Sequence, residues 1–156
     1  MKTEKMLAEI TDPDLELLKD LDGKMSRDGK IIQLKKKGFA WPKIGYIFEI
    51  GGEAARQAAI SAAREIERRK KLRLIEKSPN PQEMIILMPL EDVLSARTAH
   101  LLSSVNEWSK KKYKKVGDLP DKCELDLRKY RGFGDATVRE IKDLLARFSL
   151  PPLKSE

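Results

Sequence analysis

The sequence predicts a mainly α-helical protein built of two modules behind a short N-terminal segment. Three observations carry that prediction. Two amphipathic runs flank the hairpin Arg131-Gly132-Phe133-Gly134, which is too tight for ordinary helix caps. Between Ser26 and Lys71 a second pair of helix-spaced runs meets at a turn holding Glu49 and Gly51. Pro89 separates the two patterns, so the expected domains are 1–22, 23–88 and 89–156.

In the first segment, Asp12-Pro13 starts a helix, and Leu15, Leu18 and Leu21 recur at three-residue steps. The expectation is a short amphipathic helix packed on the next module, with docking on a partner as the alternative. Charge is unevenly spread. The net charge of the chain is +7, yet residues 1–22 carry −4, which leaves +11 on the rest. A basic body with a pI near 9.4 is the electrostatic footprint of a nucleic-acid binder.

The second module opens on Ile31, Ile32 and Leu34, a helix closed by Lys35-Lys36-Lys37 and a glycine cap at Gly38. Trp41-Pro42 starts the next helix, with the proline in its first turn. The run W-P-K-I-G-Y-I-F-E-I-G-G-E-A-A-R-Q-A then resembles a helix-turn-helix. Ile44, Phe48 and Ile50 take its apolar positions, Gly45 sits where two helices must approach, and Ala55 and Ala58 face inward. A helix from about Gly52 to Lys70 would present Glu53, Arg56, Gln57, Ser61 and Arg64 outward, where such side chains read major-groove edges. A structural or protein-binding trihelix is the alternative. Leu72 to Glu76 and Met84 to Met88 are β-prone runs around Ser78-Pro79-Asn80-Pro81, and they read as a β-hairpin. A hairpin directly after a helix-turn-helix makes a winged helix. The second run lacks alternation, so both its faces are expected to be covered.

In the third module, Gly132 and Gly134 are expected to supply positive φ and close approach, with Phe133 plugging the hairpin into the core. The helix after Gly134 opens with free backbone N–H groups, where a phosphate can sit. This is the logic of a helix-hairpin-helix, and a plain helix–glycine–helix corner is its alternative. From about Pro89 to Pro152 the chain resembles the C-terminal domain of the bacterial RNA polymerase alpha subunit. The likeness rests on Leu94-Ser95-Ala96-Arg97-Thr98-Ala99-His100-Leu101-Leu102, similar to the family's S-x-R-x-x-N-x-L helix, and on ungapped spacing from Val116-Gly117-Asp118-Leu119 to Leu145.

The resemblance implies minor-groove DNA binding upstream of promoters, with docking on activators and sigma. It places Arg97 as the minor-groove arginine, Gly134 and Thr137 as the hairpin glycine and phosphate-binding hydroxyl, and Glu140 as the acid one turn later. Two positions depart from the family. His100 replaces an asparagine and Ala136 a backbone-binding lysine, while Lys110 to Lys115 occupy extra length. Lys111 and Lys112 are therefore expected to add phosphate contacts.

No apolar run approaches the roughly 18 residues that span a bilayer, and no N-terminal signal is visible, so a soluble, cytoplasmic protein is expected. The single cysteine, Cys123, excludes an intrachain disulfide and a cysteine-based zinc site, and is expected in the core of a short helix. The lone histidine has no nucleophile beside it, and no phosphate loop, dinucleotide fingerprint or metal-ligand spacing occurs. No catalytic residue, metal or cofactor is expected. The expected function is a transcription regulator on double-stranded DNA. The alternatives are an adaptor for RNA polymerase or sigma, and a recombination or partition accessory protein.

Overall fold

The computed structural model describes residues 2–108, 113–119 and 124–154, and the protein is mainly helical, with no strand among them. Two compact units divide the chain between Arg69 and Lys70. The first unit holds α1 (Lys2–Ala8), α2 (Asp12–Glu16), α3 (Arg27–Lys36), α4 (Trp41–Ile47) and α5 (Gly52–Glu76) as far as Arg69. The second holds the end of α5, then α6 (Pro81–Ile86), α7 (Leu90–Val93), α8 (Ala96–Trp108), a 3₁₀ turn (Val116–Asp118), α9 (Glu124–Arg128) and α10 (Asp135–Arg147). Among the described residues no helix is long and apolar enough to cross a membrane.

Local chemistry sets the start of α2 and both ends of α3. Thr11 and Asp14 form a capping box at the start of α2, the Asp14 amide donating to Thr11 Oγ1 and the Thr11 amide to Asp14 Oδ2. Ser26 Oγ accepts from the Gly29 amide at 3.1 Å and caps α3, and Gly38 ends that helix at φ +96°. Leu7, Leu15, Leu18, Ile31, Ile44 and Ile66 are buried together in the core of this unit. The three-residue leucine row breaks at Leu21, which is fully exposed, because the Asp20 carboxylate turns the chain by accepting from the Asp22 and Lys24 amides. Leu17 is buried in its place.

Helices α3, α4 and α5 follow one another in the first unit, and Ile31, Ile44 and Ile66 share its core. A Cβ on Gly45 would lie 2.6 Å from the Ile50 carbonyl and 2.8 Å from Gly51, so only glycine lets α4 meet the following turn. Ala55 and Ala59 are fully buried on α5, where small side chains permit close packing.

The β-hairpin does not form, and with it the winged arrangement is corrected. The run Leu72 to Glu76 continues α5, and residues 81–86 are α6. Leucine, arginine and glutamate sustain a helix that nothing breaks before Ser78-Pro79, while Pro81 suits a helix's first turn. Helical spacing places Leu72 and Ile75 on one buried side and leaves Leu74 71% exposed. Of the second run only Ile85 is fully buried, and Leu87 is 64% exposed, so this segment is not covered on both faces. The boundary expected at Pro89 accordingly falls inside the second unit, where Leu72, Ile75 and Ile85 share a core with Leu102, Phe133 and Ile141.

Candidate nucleic-acid interface

In the second unit, α9 and α10 flank a hairpin whose plug is Phe133, 5% exposed and edge-on to Tyr130 with 6.4 Å between ring centroids. The two hairpin glycines have different roles. Gly132 has φ +96°, and a Cβ there would meet Leu101 Cδ2 of α8 at 2.7 Å. Gly134 has φ −88° and ψ −173°, ordinary extended backbone, with no atom within 4 Å of a Cβ. The expected positive φ at Gly134 is therefore absent, and the special backbone belongs to Gly132 alone.

Leu101 against Gly132 brings α8 to the hairpin. A second tie fixes the start of α8. The Glu140 carboxylate accepts from the Ser95 amide at 2.6 Å, the Ser95 hydroxyl at 2.9 Å and the Thr98 hydroxyl at 2.5 Å. A carboxylate at a helix N-terminus also complements the helix dipole. Between these two ties stands Arg97, exposed and with no carboxylate partner among the described residues. His100, also exposed, lies one turn further along α8.

Thr137 is 5% exposed and its hydroxyl donates to the Gly132 carbonyl at 3.4 Å, so that group braces the hairpin rather than facing outward. α10 begins without a side-chain cap on its first amides. Asp135 stands among them. Arg128 at 2.7 Å hydrogen-bonds its carboxylate and holds it below the usual range, so it is ionised at neutral pH. Two arginines at this surface escaped the sequence reading as binding residues. Arg131 at the hairpin tip and Arg139 on α10 are exposed, and the Arg139 charge acts on Asp135 one turn earlier. Their signal was composition alone: a basic residue in the hairpin and another in the first turns of α10. Lys111, Lys112 and Cys123 lie outside the described residues.

In the first unit, Gln57, Ser61 and Arg64 are exposed on α5, and Arg56 is half-buried. Arg56 Nη1 donates to Glu53 at 2.9 Å and Nη2 to Thr3 of α1 at 3.3 Å, and Gln57 donates to Glu53 at 3.1 Å. The Gln57 hydrogen bond and the Arg56 charge hold the Glu53 carboxyl below its ordinary range. Gln57 thus turns to its own helix and Arg56 to its own helix and α1, whereas Ser61 and Arg64 make no such bond to a described side chain.

Among the described residues no cluster of three or more histidine, cysteine, aspartate or glutamate side chains is placed to hold a metal ion. No protein-family model, no curated protein and no solved structure matches the chain.

Proposed function

We propose that the protein is a DNA-binding transcription regulator. The α9–α10 pair acts as a helix-hairpin-helix that grips backbone while Arg97 enters the minor groove. The α4–α5 pair acts as a helix-turn-helix whose α5 meets a major groove. One observation carries the reading: Arg97 is an exposed, unpaired guanidinium held between the Glu140 tie and the Leu101–Gly132 contact. An arginine presented from an anchored helix suits a narrow groove, where the negative potential is strongest, and the resemblance of this stretch to the polymerase alpha domain supports reading Arg97 as groove-facing. The basic body supplies the non-specific attraction.

The test is a fluorescence titration of parent and Arg97→Ala on A·T-rich and G·C-rich duplexes over a salt series. Arg97→Ala should lose about 1–3 kcal/mol on the A·T-rich duplex and flatten the preference. No duplex binding at low salt, or a flat salt response of the parent, refutes the proposal.

A protein-docking reading draws on a separate observation. Leu21 is fully exposed between Asp20 and Asp22, the composition of a peptide that docks on a basic protein surface. Recovery of RNA polymerase or sigma from nuclease-treated extract by the parent, and its loss with Leu21→Ser, would favour the adaptor. Tighter binding to branched than to linear DNA would favour the recombination or partition role.

A further inference from the structure

Helix α5 turns one face straight away from the core of the first unit. At about 100° per residue, Ser61 lies about 40° and Arg64 about 20° around the helix from Gln57. Ile66, buried in the core, lies about 180° from Gln57, and the fully buried Ala55 and Ala59 about 160°. Gln57, Ser61 and Arg64 are exposed accordingly. Ala54 and Ala58 border this face on one side, so no bulky side chain there holds the helix off a partner.

Gln57 is oriented yet still open. Its side-chain amide donates to Glu53 Oε1 at 3.1 Å, and Arg56 Nη1 donates to the same oxygen at 2.9 Å. Arg56 is tied in turn to Thr3 of α1 at 3.3 Å. A carboxylate only accepts, so the Gln57 nitrogen must face Glu53, and this sets which way the amide points. One N–H and the carbonyl oxygen of that amide have no partner among the described residues. Arg64 has no carboxylate partner among the described residues, and Glu53 is the only acid from residue 53 to residue 64.

A major groove about 12 Å wide admits an α-helix, and its base edges present paired hydrogen-bonding groups. An amide with an N–H and a carbonyl open matches N7 and N6 of adenine, and a guanidinium matches O6 and N7 of guanine. Gln57 and Arg64 stand two turns apart, about 10.5 Å at about 1.5 Å per residue. Base pairs repeat at about 3.4 Å, so that separation is about three base-pair steps.

We propose that α5 reads an adenine through Gln57 and, about three base pairs away, a guanine through Arg64, with Glu53 as the positioning residue that fixes the Gln57 amide. This assignment rests on the duplex-binding reading and adds which bases α5 selects. It also gives a task to an acid in the first turn of a helix that meets DNA: Arg56 offsets the Glu53 charge, and the carboxylate orients the reading amide.

The test is selection of bound fragments from random duplex DNA by the full chain, then fluorescence titration on the selected duplex and on single-base changes of it. The parent should select an adenine and a guanine about three base pairs apart, and changing either base should lower affinity about tenfold or more. Arg64→Ala should lose the guanine preference and keep the adenine one, and Gln57→Ala should do the reverse. Glu53→Ala should weaken the adenine preference alone, which a merely structural role would not do. All three replacements put alanine at exposed positions of a helix, so the fold is kept. The minor groove presents A·T and T·A alike, so exchanging adenine for thymine at the Gln57 position separates this readout from that of Arg97. A parent that binds duplex but selects no motif, tolerates that exchange, or keeps its motif in Gln57→Ala and Arg64→Ala overturns the base-reading face alone. An adenine preference unchanged in Glu53→Ala overturns its positioning role. A parent that binds no duplex overturns the face together with the DNA-binding reading.

Discussion

Replacing each hairpin glycine tests the account of the site most directly, because the two positions should respond in opposite ways. At Gly132, φ is +96°, where a side chain costs about 1–3 kcal/mol. Its Cβ would also sit 2.7 Å from Leu101 Cδ2, the far end of a flexible side chain, so Leu101 can move aside. Displacing that half-buried leucine adds up to about 1 kcal/mol, so the backbone term decides and Gly132→Ala should cost about 2–3 kcal/mol. At Gly134 the backbone is extended and a Cβ meets nothing, so a side chain is free to enter. Gly134 is the N-cap of α10 and has no side chain to cap with, and Gly134→Ser should stabilise by a few tenths, about 0.3 kcal/mol. Urea unfolding followed by circular dichroism measures both. With a slope of about 1–3 kcal/mol per molar urea, the Gly132→Ala midpoint should fall by about 1 M or more while Gly134→Ser stays level or rises slightly. Equal losses at both positions would refute the assignment of the constrained backbone to Gly132.

Three further outcomes follow from the same contacts. Glu140→Gln keeps the shape but loses the charge that accepts three hydrogen bonds, so it should cost about 1–2 kcal/mol in urea unfolding and weaken duplex binding through a loosened Arg97; unchanged stability would dismiss the tie. Leu72→Ala should cost about 2–5 kcal/mol and Leu74→Ala less than about 0.5, since only Leu72 is buried; equal costs, as a strand with both on one face would give, would restore the β-hairpin. Burial pushes the Glu65 carboxyl up, but the hydrogen bonds and charges of Arg68 and Arg69 more than offset it, and its pKa lies below the ordinary value. A lowered folded pKa stabilises above the unfolded value, and that stability is lost as pH falls through the folded value. The advantage of the parent over Glu65→Gln in urea midpoint should therefore shrink from pH 7 toward pH 3, and a gap independent of pH would contradict the pairing.

The parts of this fold that the sequence disclosed are those fixed by local chemistry. Gly38 ends α3, Pro42 opens α4 and Gly45 admits the α4–α5 turn, each because one residue type meets a steric demand within a few positions. The segment from Leu72 to Met88 misled because short apolar runs suit a strand or a helix equally by composition. What decides there is the buried partner of Leu72, Ile75 and Ile85, which lies far along the chain. Helix α1 was not read at all, since seven residues with Thr3 and Leu7 as the buried pair give no periodic signal.

The candidate site divides along the same line. Basic residues around the hairpin were visible, but freedom to bind is a property of three-dimensional pairing. Arg56 and Arg97 look alike in sequence, yet Arg56 is engaged by Glu53 one turn away and by Thr3 of α1, whereas Arg97 has no such partner. Glu140 lies 45 residues from Ser95, so its hold on α8 leaves no trace in local spacing. The two glycines make the point most sharply. They are separated by one residue in a near-symmetrical R-G-F-G string, and only the approach of Leu101, from a helix 31 positions earlier, shows that Gly132 stands in the crowded, left-handed place. A hairpin of this kind is thus recognised from its glycines, but its working surface is set by the helix that packs against it.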